Sequence, residues 1–544
     1  MIRNTLAVYE GASGFILDWM VTGFFANGVI GGRAPNLYDA KASRFWKKDY
    51  LQKALGGEEA VRGTPKPGGI AEIEWLPLQA PPDYPKLELL QHRRAYPELD
   101  AAIPAQWDHL WYALAVVEAD TAQDGELRIT GQDGCRVWWN GQFVHEEHSW
   151  HKMPFDLGVV PVRLPKGRST LLVKLDRYGV VARLTAPGGR RLKGKAVTLT
   201  PAAPRPEPPG TMEQLARYSR TLKVTMPCRA TSRAEALAWQ GAARAHYRRC
   251  LGPLPQPPAA RGKLIRREKL DGCQRRLYHL NREAGSTLPV WLLVPDRSRR
   301  NGRCVICPHG HGQDDLVVAG VSPPARPHGN WFGPYSGNYA ELLARAGFIT
   351  ATWAERALAH RRKDDPRDGS RDPCNLASLA AEAMGMTLPG LHLYDLRDVT
   401  AFVLGETGAD PKRLGVMGLS GGATMTVQAG AYDETFGAMG VFCGCHSYAD
   451  YAQGRDGCGQ QIVPGLYPTL DTPELICLMA PRPVLLAQGR RDVTFNAFLL
   501  TRFARQARKA YAAMGAAGKV ELHLYDLAHQ VDIDAAESFF LRSL

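Results

Sequence analysis

Gly418-Leu419-Ser420-Gly421-Gly422 is the stretch that decides the fold. It follows the apolar run Leu414-Gly415-Val416-Met417 and precedes Ala423-Thr424-Met425-Thr426-Val427-Gln428-Ala429, which reads as a helix. The pattern G-x-S-x-G between strand and helix marks a sharp turn on which a serine holds strained backbone angles, so its neighbours must lack side chains. The turn aims the N–H of Gly421 at the same spot as the hydroxyl, next to the positive end of the following helix.

A serine hydroxyl is a weak nucleophile at neutral pH and needs a base and an orienting acid. In this architecture they follow in the order serine, acid, histidine. Pro481 to Gly489 reads as a buried strand, with Asp492 just beyond it, and Val520 to Tyr525 reads as the last strand, running into Asp526-Leu527-Ala528-His529 and a closing helix from about Ile533 to Leu541. Asp492 and His529 thus fall on loops after successive strands, where ligands bind in open sheets. His523 lies within the last strand and reads as a half-buried sheet residue, and Asp526 shapes the turn. Asp450, after the strand Ala438 to Cys443, is a competing acid, and Asp492 is preferred to it.

The second oxyanion donor is expected on the loop after an earlier strand. Arg303 to Pro308 is such a strand and ends in His309-Gly310-His311-Gly312, where the N–H of His311 is the expected donor. Two alternating histidines on a glycine turn lack further ligands nearby in sequence, so no metal is expected. Cys304 and Cys307 lie three apart on a strand and face opposite sides. Cys443, Cys445, His446 and Cys458 are a better zinc candidate by proximity, yet their spacing fits no closed module, and buried thiols are the preferred reading.

From about Met212 to Leu544 the chain resembles the α/β-hydrolase superfamily, in particular its dienelactone-hydrolase and acetyl-xylan-esterase-like branch. The resemblance rests on His309-Gly310-His311-Gly312, Trp353-Ala354-Glu355-Arg356, Gly418 to Gly422, Ala480-Pro481-Arg482-Pro483, Asp492 and His529, with Cys458 to Gly465 similar to a loop of bacterial esterases in that branch. It implies a mostly parallel sheet flanked by helices and a cofactor-free serine hydrolase of carboxylic esters, often sugar acetates. Ala423 and Trp353-Ala354 depart from the family pattern, outside the triad. Glu355 and Arg356, on the loop after the strand ending at Trp353, are expected either to bind a substrate oxygen or to brace the loops as an ion pair. A serine peptidase of the same fold is the alternative, without the repeat of a β-propeller in front. A third reading is a non-catalytic carbohydrate-binding protein on a hydrolase scaffold.

A length of 544 residues exceeds one core, and 45% hydrophobic with 22% charged residues is ordinary globular material. No apolar run approaches the ~20 residues of a membrane helix. Met1 to Glu10 lacks the pattern of a signal peptide, so a cytoplasmic location is expected. The 11 cysteines are scattered, which suits reduced thiols. The net charge of +13 is spread over both halves with no recognition helix, so no nucleic-acid partner is expected.

Before the hydrolase-like region the pattern changes to short strands. Trp111 to Val117, Glu126 to Thr130, Val160 to Leu164 and Thr170 to Leu175 read as strands, and Asn140-Gly141 joins Arg136-Val137-Trp138-Trp139 to Gln142-Phe143-Val144-His145 as a hairpin. Phe15 to Val21 reads as one further strand, and Leu37 to Leu55 as a loop with a short helix. Such spacing predicts an all-β sandwich or jelly roll. The stretch from Gly131 through Asn140-Gly141 to Lys174 resembles galactose-binding-like sandwiches. Trp138 and Trp139 point to opposite faces, so at most one is expected in the core on that sheet, the other being placed for packing or for stacking on a sugar. The expected organisation is a β-sandwich accessory domain over 1–200, a proline-rich linker over 201–210 and a catalytic domain over 211–544. Ser232 and Glu235 read as a capping box for a helix through Trp239, Ala243, Tyr247 and Leu251. Leu288 to Pro295 is expected to begin the buried sheet, with helices at Tyr339 to Ala346 and Leu391 to Leu404 between its strands.

Overall fold

Unalternating apolar runs form strands covered on both faces, and they place the centre of the main sheet. The computed structural model describes the chain outside residues 1, 10–11, 27–45, 62–74, 81–84, 86, 89–108, 132–133, 148–154, 177–178, 201–210, 256–260, 283–284, 312–313, 323–336, 359–360, 362–372, 453–456, 493 and 496. It divides into two compact units that meet in sequence between Gly210 and Thr211. The proline-rich segment 201–210 lies outside the described residues.

Among the described residues the second unit has nine strands: β1 (Gly262–Leu270), β2 (Cys273–Asn281), β3 (Thr287–Pro295), β4 (Cys304–Ile306), β5 (Ile349–Trp353), β6 (Leu414–Leu419), β7 (Ala438–Phe442), β8 (Val484–Gly489) and β9 (Val520–Tyr525). Their order is β1-β2-β3-β5-β4-β6-β7-β8-β9. The pairings β1–β2, β2–β3 and β3–β5 are antiparallel, and every pairing from β5–β4 to β8–β9 is parallel. Strands β4 to β8 are buried throughout, whereas β1 is mostly exposed. Leu288 to Pro295 therefore does not begin the sheet. Two antiparallel strands precede it, and the charges of Gly262-Lys263-Leu264-Ile265-Arg266-Arg267-Glu268 suit a solvated edge.

Helices α1 (Arg233–Cys250), α2 (Tyr339–Arg345), α3 (Pro373–Ala383), α4 (Leu388–Thr407), α5 (Gly421–Tyr432), α6 (Ala497–Ala513) and α7 (Ile533–Ser543) belong to this unit. The capping box at Ser232 and Glu235 starts α1, which buries Ala243 and Tyr247; such a cap contributes about 1 kcal/mol. Cys304 and Cys307 enter two different hydrophobic clusters, as residues facing opposite sides of a sheet must. Among the described residues, no helix is long and apolar enough to cross a membrane.

In the first unit the described strands form an eight-stranded and a six-stranded sheet, and Trp111, Val137, Trp139 and Val173 of the former share one core with Leu127, Ile129, Val180 and Leu184 of the latter. The Asn140-Gly141 turn closes the hairpin Cys135–Trp139 to Gln142–Glu147, with φ of 51° and 75°. The Phe15 to Val21 run is not one strand: Ala12–Phe15 pairs in the six-stranded sheet and Asp18–Ala26 in the eight-stranded one. Of the segment Leu37 to Leu55, the described part carries one short helix, Gln52–Leu55. Both Trp138 and Trp139 are buried, on opposite faces. Trp139 joins the shared core, and Trp138 packs with Leu51, Trp75, Tyr112 and Leu172. Stacking on a sugar is thereby closed to Trp138.

Candidate active site

Ser420 follows β6 with φ 61° and ψ −121°, a region that costs a non-glycine residue about 1–3 kcal/mol and persists only where packing enforces it. Here the enforcement is visible. The Ser420 N–H donates to the Phe442 carbonyl at 3.1 Å, and the Ser420 carbonyl accepts from Ala423 and Thr424 at 3.0 and 3.1 Å. A β-carbon on Gly422 would stand 2.2 Å from the Pro308 carbonyl oxygen, and one on Gly310 would stand 2.9 Å from both the Gly421 nitrogen and Ser420 Cβ. The turn and the loop after β4 thus touch backbone to backbone. The Ser420 hydroxyl is left out of helix capping.

Strands β6, β7, β8 and β9 are parallel neighbours, so the loops after them open at one edge. His529 Nδ1 lies 2.9 Å from Asp492 Oδ2. Asp492 also accepts from Gln488 Nε2 at 2.7 Å and from the N–H groups of Thr494 and Phe495 at 2.7 and 3.2 Å. Burial pushes the Asp492 carboxyl up, but His529 and these hydrogen bonds outweigh it and hold the group below the usual carboxylate range. Asp492 therefore faces the imidazole as a carboxylate and orients the ring through Nδ1.

The competing groups are engaged elsewhere. Asp450 turns back on Ser447, accepting from its N–H at 3.2 Å. Asp526 is exposed and pairs with Arg491. His523, half-buried in β9, pairs with Asp532 at 2.7 Å.

His311 stands against the turn: a β-carbon on Gly421 would lie 3.2 Å from His311 Nδ1 and 2.6 Å from Gln460 Oε1. His309 is fully buried, and its Nε2 accepts the Glu355 N–H at 3.0 Å, so the proton sits on Nδ1 and donates to the Gly310 carbonyl. Gln460 donates to Glu355 Oε2 at 2.6 Å, while its Oε1 is buried without a partner among the described residues. The sequence singled out this glutamine's loop but not the residue, because only the folded chain brings it to Gly421.

Glu355 is fully buried, and burial first of all raises its carboxyl well above the ordinary value. Beside it, burial depresses His392 to about 3, and its Nδ1 lies 3.4 Å from Glu355 Oε2. Arg356 turns to Asp395, donating at 2.9 and 2.8 Å, and Asp395 also receives Arg282 at 2.8 Å and Arg361 at 3.1 Å. Arg356 thus pairs with Asp395 rather than with Glu355, whose Oε2 accepts from Gln460 instead.

Cys443, Cys445, His446 and Cys458 do not assemble. Cys443 lies 3.2 Å from the Tyr525 hydroxyl, and His446 stacks on Phe495 at 4.3 Å. Cys458 instead meets His311 Nε2 at 3.0 Å, with Cys374 at 3.4 Å from the same nitrogen. The Cys458 thiol is lowered to about 5, first by its hydrogen bond with Cys374 and then by His311, over the opposing effect of burial.

No family model matches the chain, and no curated protein matches it. Among solved structures it is similar to a candidate acetyl xylan esterase from Bacteroides fragilis, with a TM-score of 0.48, 18% identity, and cover of 58% of this chain and 82% of that one. It is also similar to the methylesterase BT1017, with a TM-score of 0.45, 20% identity, and cover of 61% and 67%. A glucuronoyl esterase from Solibacter usitatus gives a TM-score of 0.44, 15% identity, and cover of 59% and 97%.

Proposed function

We propose that the chain is a serine hydrolase of carboxylic esters on an α/β-hydrolase fold, with its chemistry in residues 211–544. The observation that carries this reading is the Asp492–His529 pair, 2.9 Å apart, on loops that open at the same sheet edge as the strained Ser420. In the proposed mechanism, Ser420 Oγ bonds to the ester carbonyl carbon while His529 Nε2 takes the hydroxyl proton, and Asp492 holds the imidazole in the tautomer that allows it. The N–H groups of Gly421 and His311 receive the oxyanion. Collapse breaks the bond to the leaving alcohol, which takes the proton from His529, and water then releases the acyl group by the same steps in reverse.

Esterified carbohydrate is the substrate class, on the resemblance to acetyl-xylan-esterase-like sequences, and residues 1–200 form an accessory β-sandwich. Glu355 acts on the substrate through Gln460, which it orients, and Arg356 holds the loop. A panel of p-nitrophenyl acetate, aminoacyl anilides, acetylated xylan and a glucuronoyl ester, with a fluorophosphonate probe, tests the proposal. Ester turnover without anilide cleavage, and labelling of Ser420, are expected. Absence of labelling and of turnover on every ester would sink it.

A further inference from the structure

We propose that His311, Cys374 and Cys458 bind a zinc ion. The ligand atoms His311 Nε2, Cys374 Sγ and Cys458 Sγ all lie within 4.8 Å of one another, with Nε2 at 3.0 and 3.4 Å from the two sulfurs. Around a tetrahedral zinc, with bonds of ~2.3 Å to sulfur and ~2.0 Å to nitrogen, such atoms stand about 3.5–3.8 Å apart. The cluster therefore admits the ion by opening a few tenths of an ångström. Two thiolates and an imidazole are a borderline-soft donor set that suits zinc rather than magnesium or calcium. Both cysteines bind as thiolates, any thiol proton still held passing to solvent, and water completes the fourth position.

The three ligands come from segments far apart in sequence: the loop after β4, the first turn of α3, and the loop that carries Gln460. These segments are already joined without the thiols, since the Gly459 N–H donates to Asn375 Oδ1 at 2.9 Å. Both cysteines are buried. The imidazole of His311 presents its Nδ1 side to Gly421 and its Nε2 side to the sulfurs, so it bridges the turn and the cluster. An ion on Nε2 would fix the ring and, through it, the backbone of His311. That consequence for the oxyanion rests on the ester-hydrolase reading. The binding itself does not.

The test is metal content and cobalt spectroscopy on the full chain. Protein purified under reducing conditions should carry one zinc per chain by elemental analysis. After chelator treatment, one equivalent of cobalt should give a thiolate-to-cobalt charge-transfer band in the near ultraviolet. Cys374→Ser and Cys458→Ser should lose the band, and Cys477→Ser should keep it. Because the wild-type spectrum needs no variant, misfolding of a serine variant leaves the test intact. A wild-type chain without stoichiometric metal or the charge-transfer band would overturn the proposal, as would a Cys458→Ser chain that binds as well as wild type. Esterase activity in a chain that binds no metal would remove the zinc site and leave the hydrolase reading standing.

Discussion

The rings of Phe495 and His529 lie nearly parallel, 9° apart with centroids at 5.7 Å, and the Phe495 N–H donates to Asp492 Oδ1 at 3.2 Å. One residue thus holds the imidazole by its ring and the carboxylate by its backbone. The same ring also stacks on His446 at 4.3 Å. Phe495→Ala keeps the backbone bond and removes the wall. It should lower kcat roughly 10- to 100-fold, since small misplacements of a reacting group carry that cost. Steady-state kinetics with an activated acetate check this, and an unchanged kcat would refute it.

Ser420→Ala should reduce turnover on the order of 10⁴-fold or more. Ser420→Gly should be equally inactive but more stable, because glycine accepts φ 61° without strain. Thermal melting separates the two variants. A glycine variant that melts below the alanine variant would contradict the strain argument.

Asp492→Asn should cost about 10⁴-fold in kcat through the wrong tautomer of His529. Asp450→Asn, altering a group bonded to Ser447, should leave kcat within a few-fold of wild type. The reverse ranking would move the acid to the β7 loop.

Arg356→Ala removes one of three guanidinium partners of Asp395. The loss should be about 1–3 kcal/mol of stability, below the full cost of orphaning a buried charge because two partners remain. Denaturant melts should show it, with KM for a small ester little changed. A raised KM at normal stability would return Arg356 to substrate contact.

Glu355→Gln has a pH signature. The folded-state pKa of Glu355 is raised above the ordinary 4.5, so between the two values the folded chain holds a proton that the unfolded chain releases. Wild-type stability from this group is therefore present at low pH and is lost as pH rises above about 4.5, by up to ~1.4 kcal/mol per pH unit. Glutamine cannot ionise, so the stability of the variant relative to wild type should increase from pH 5 to 8. A pH-independent difference would show that Glu355 is ionised in the fold.

Much of this was readable in the chain because it is local. G-x-S-x-G places Ser420 at the end of an apolar strand, and Asp492 and His529 each follow a strand signal within a few residues. The Asn140-Gly141 hairpin and the Ser232–Glu235 cap are likewise carried by adjacent residues. What escaped was long-range or masked by charge. β1 hides behind arginines and lysines that its edge position explains, and β2 beside it carries Arg275 and Arg276 within its run. The break between Phe15 and Asp18 leaves no mark in the run, since both halves are apolar and only the sheets they join differ. Cys374 lies 63 positions beyond His311, and no spacing rule pairs them. The covering of Trp138 by Leu51 and Trp75 is equally invisible in sequence, because alternation tells which way a ring points but not what meets it.

Zero clearance between Gly310, Gly422 and the turn bearing Ser420 makes the proposed nucleophile and the proposed oxyanion loop a single mechanical part. Neither can drift without the other, so the distance between the Ser420 turn and the loop after β4 is set by contact of main chain on main chain rather than by side-chain choice. Under the proposed mechanism, variation in the acyl group accepted would come from the rim, above all from Gln460 and Glu355. The same interlock makes directed evolution at Gly310 or Gly422 a dead end while leaving those outer positions open.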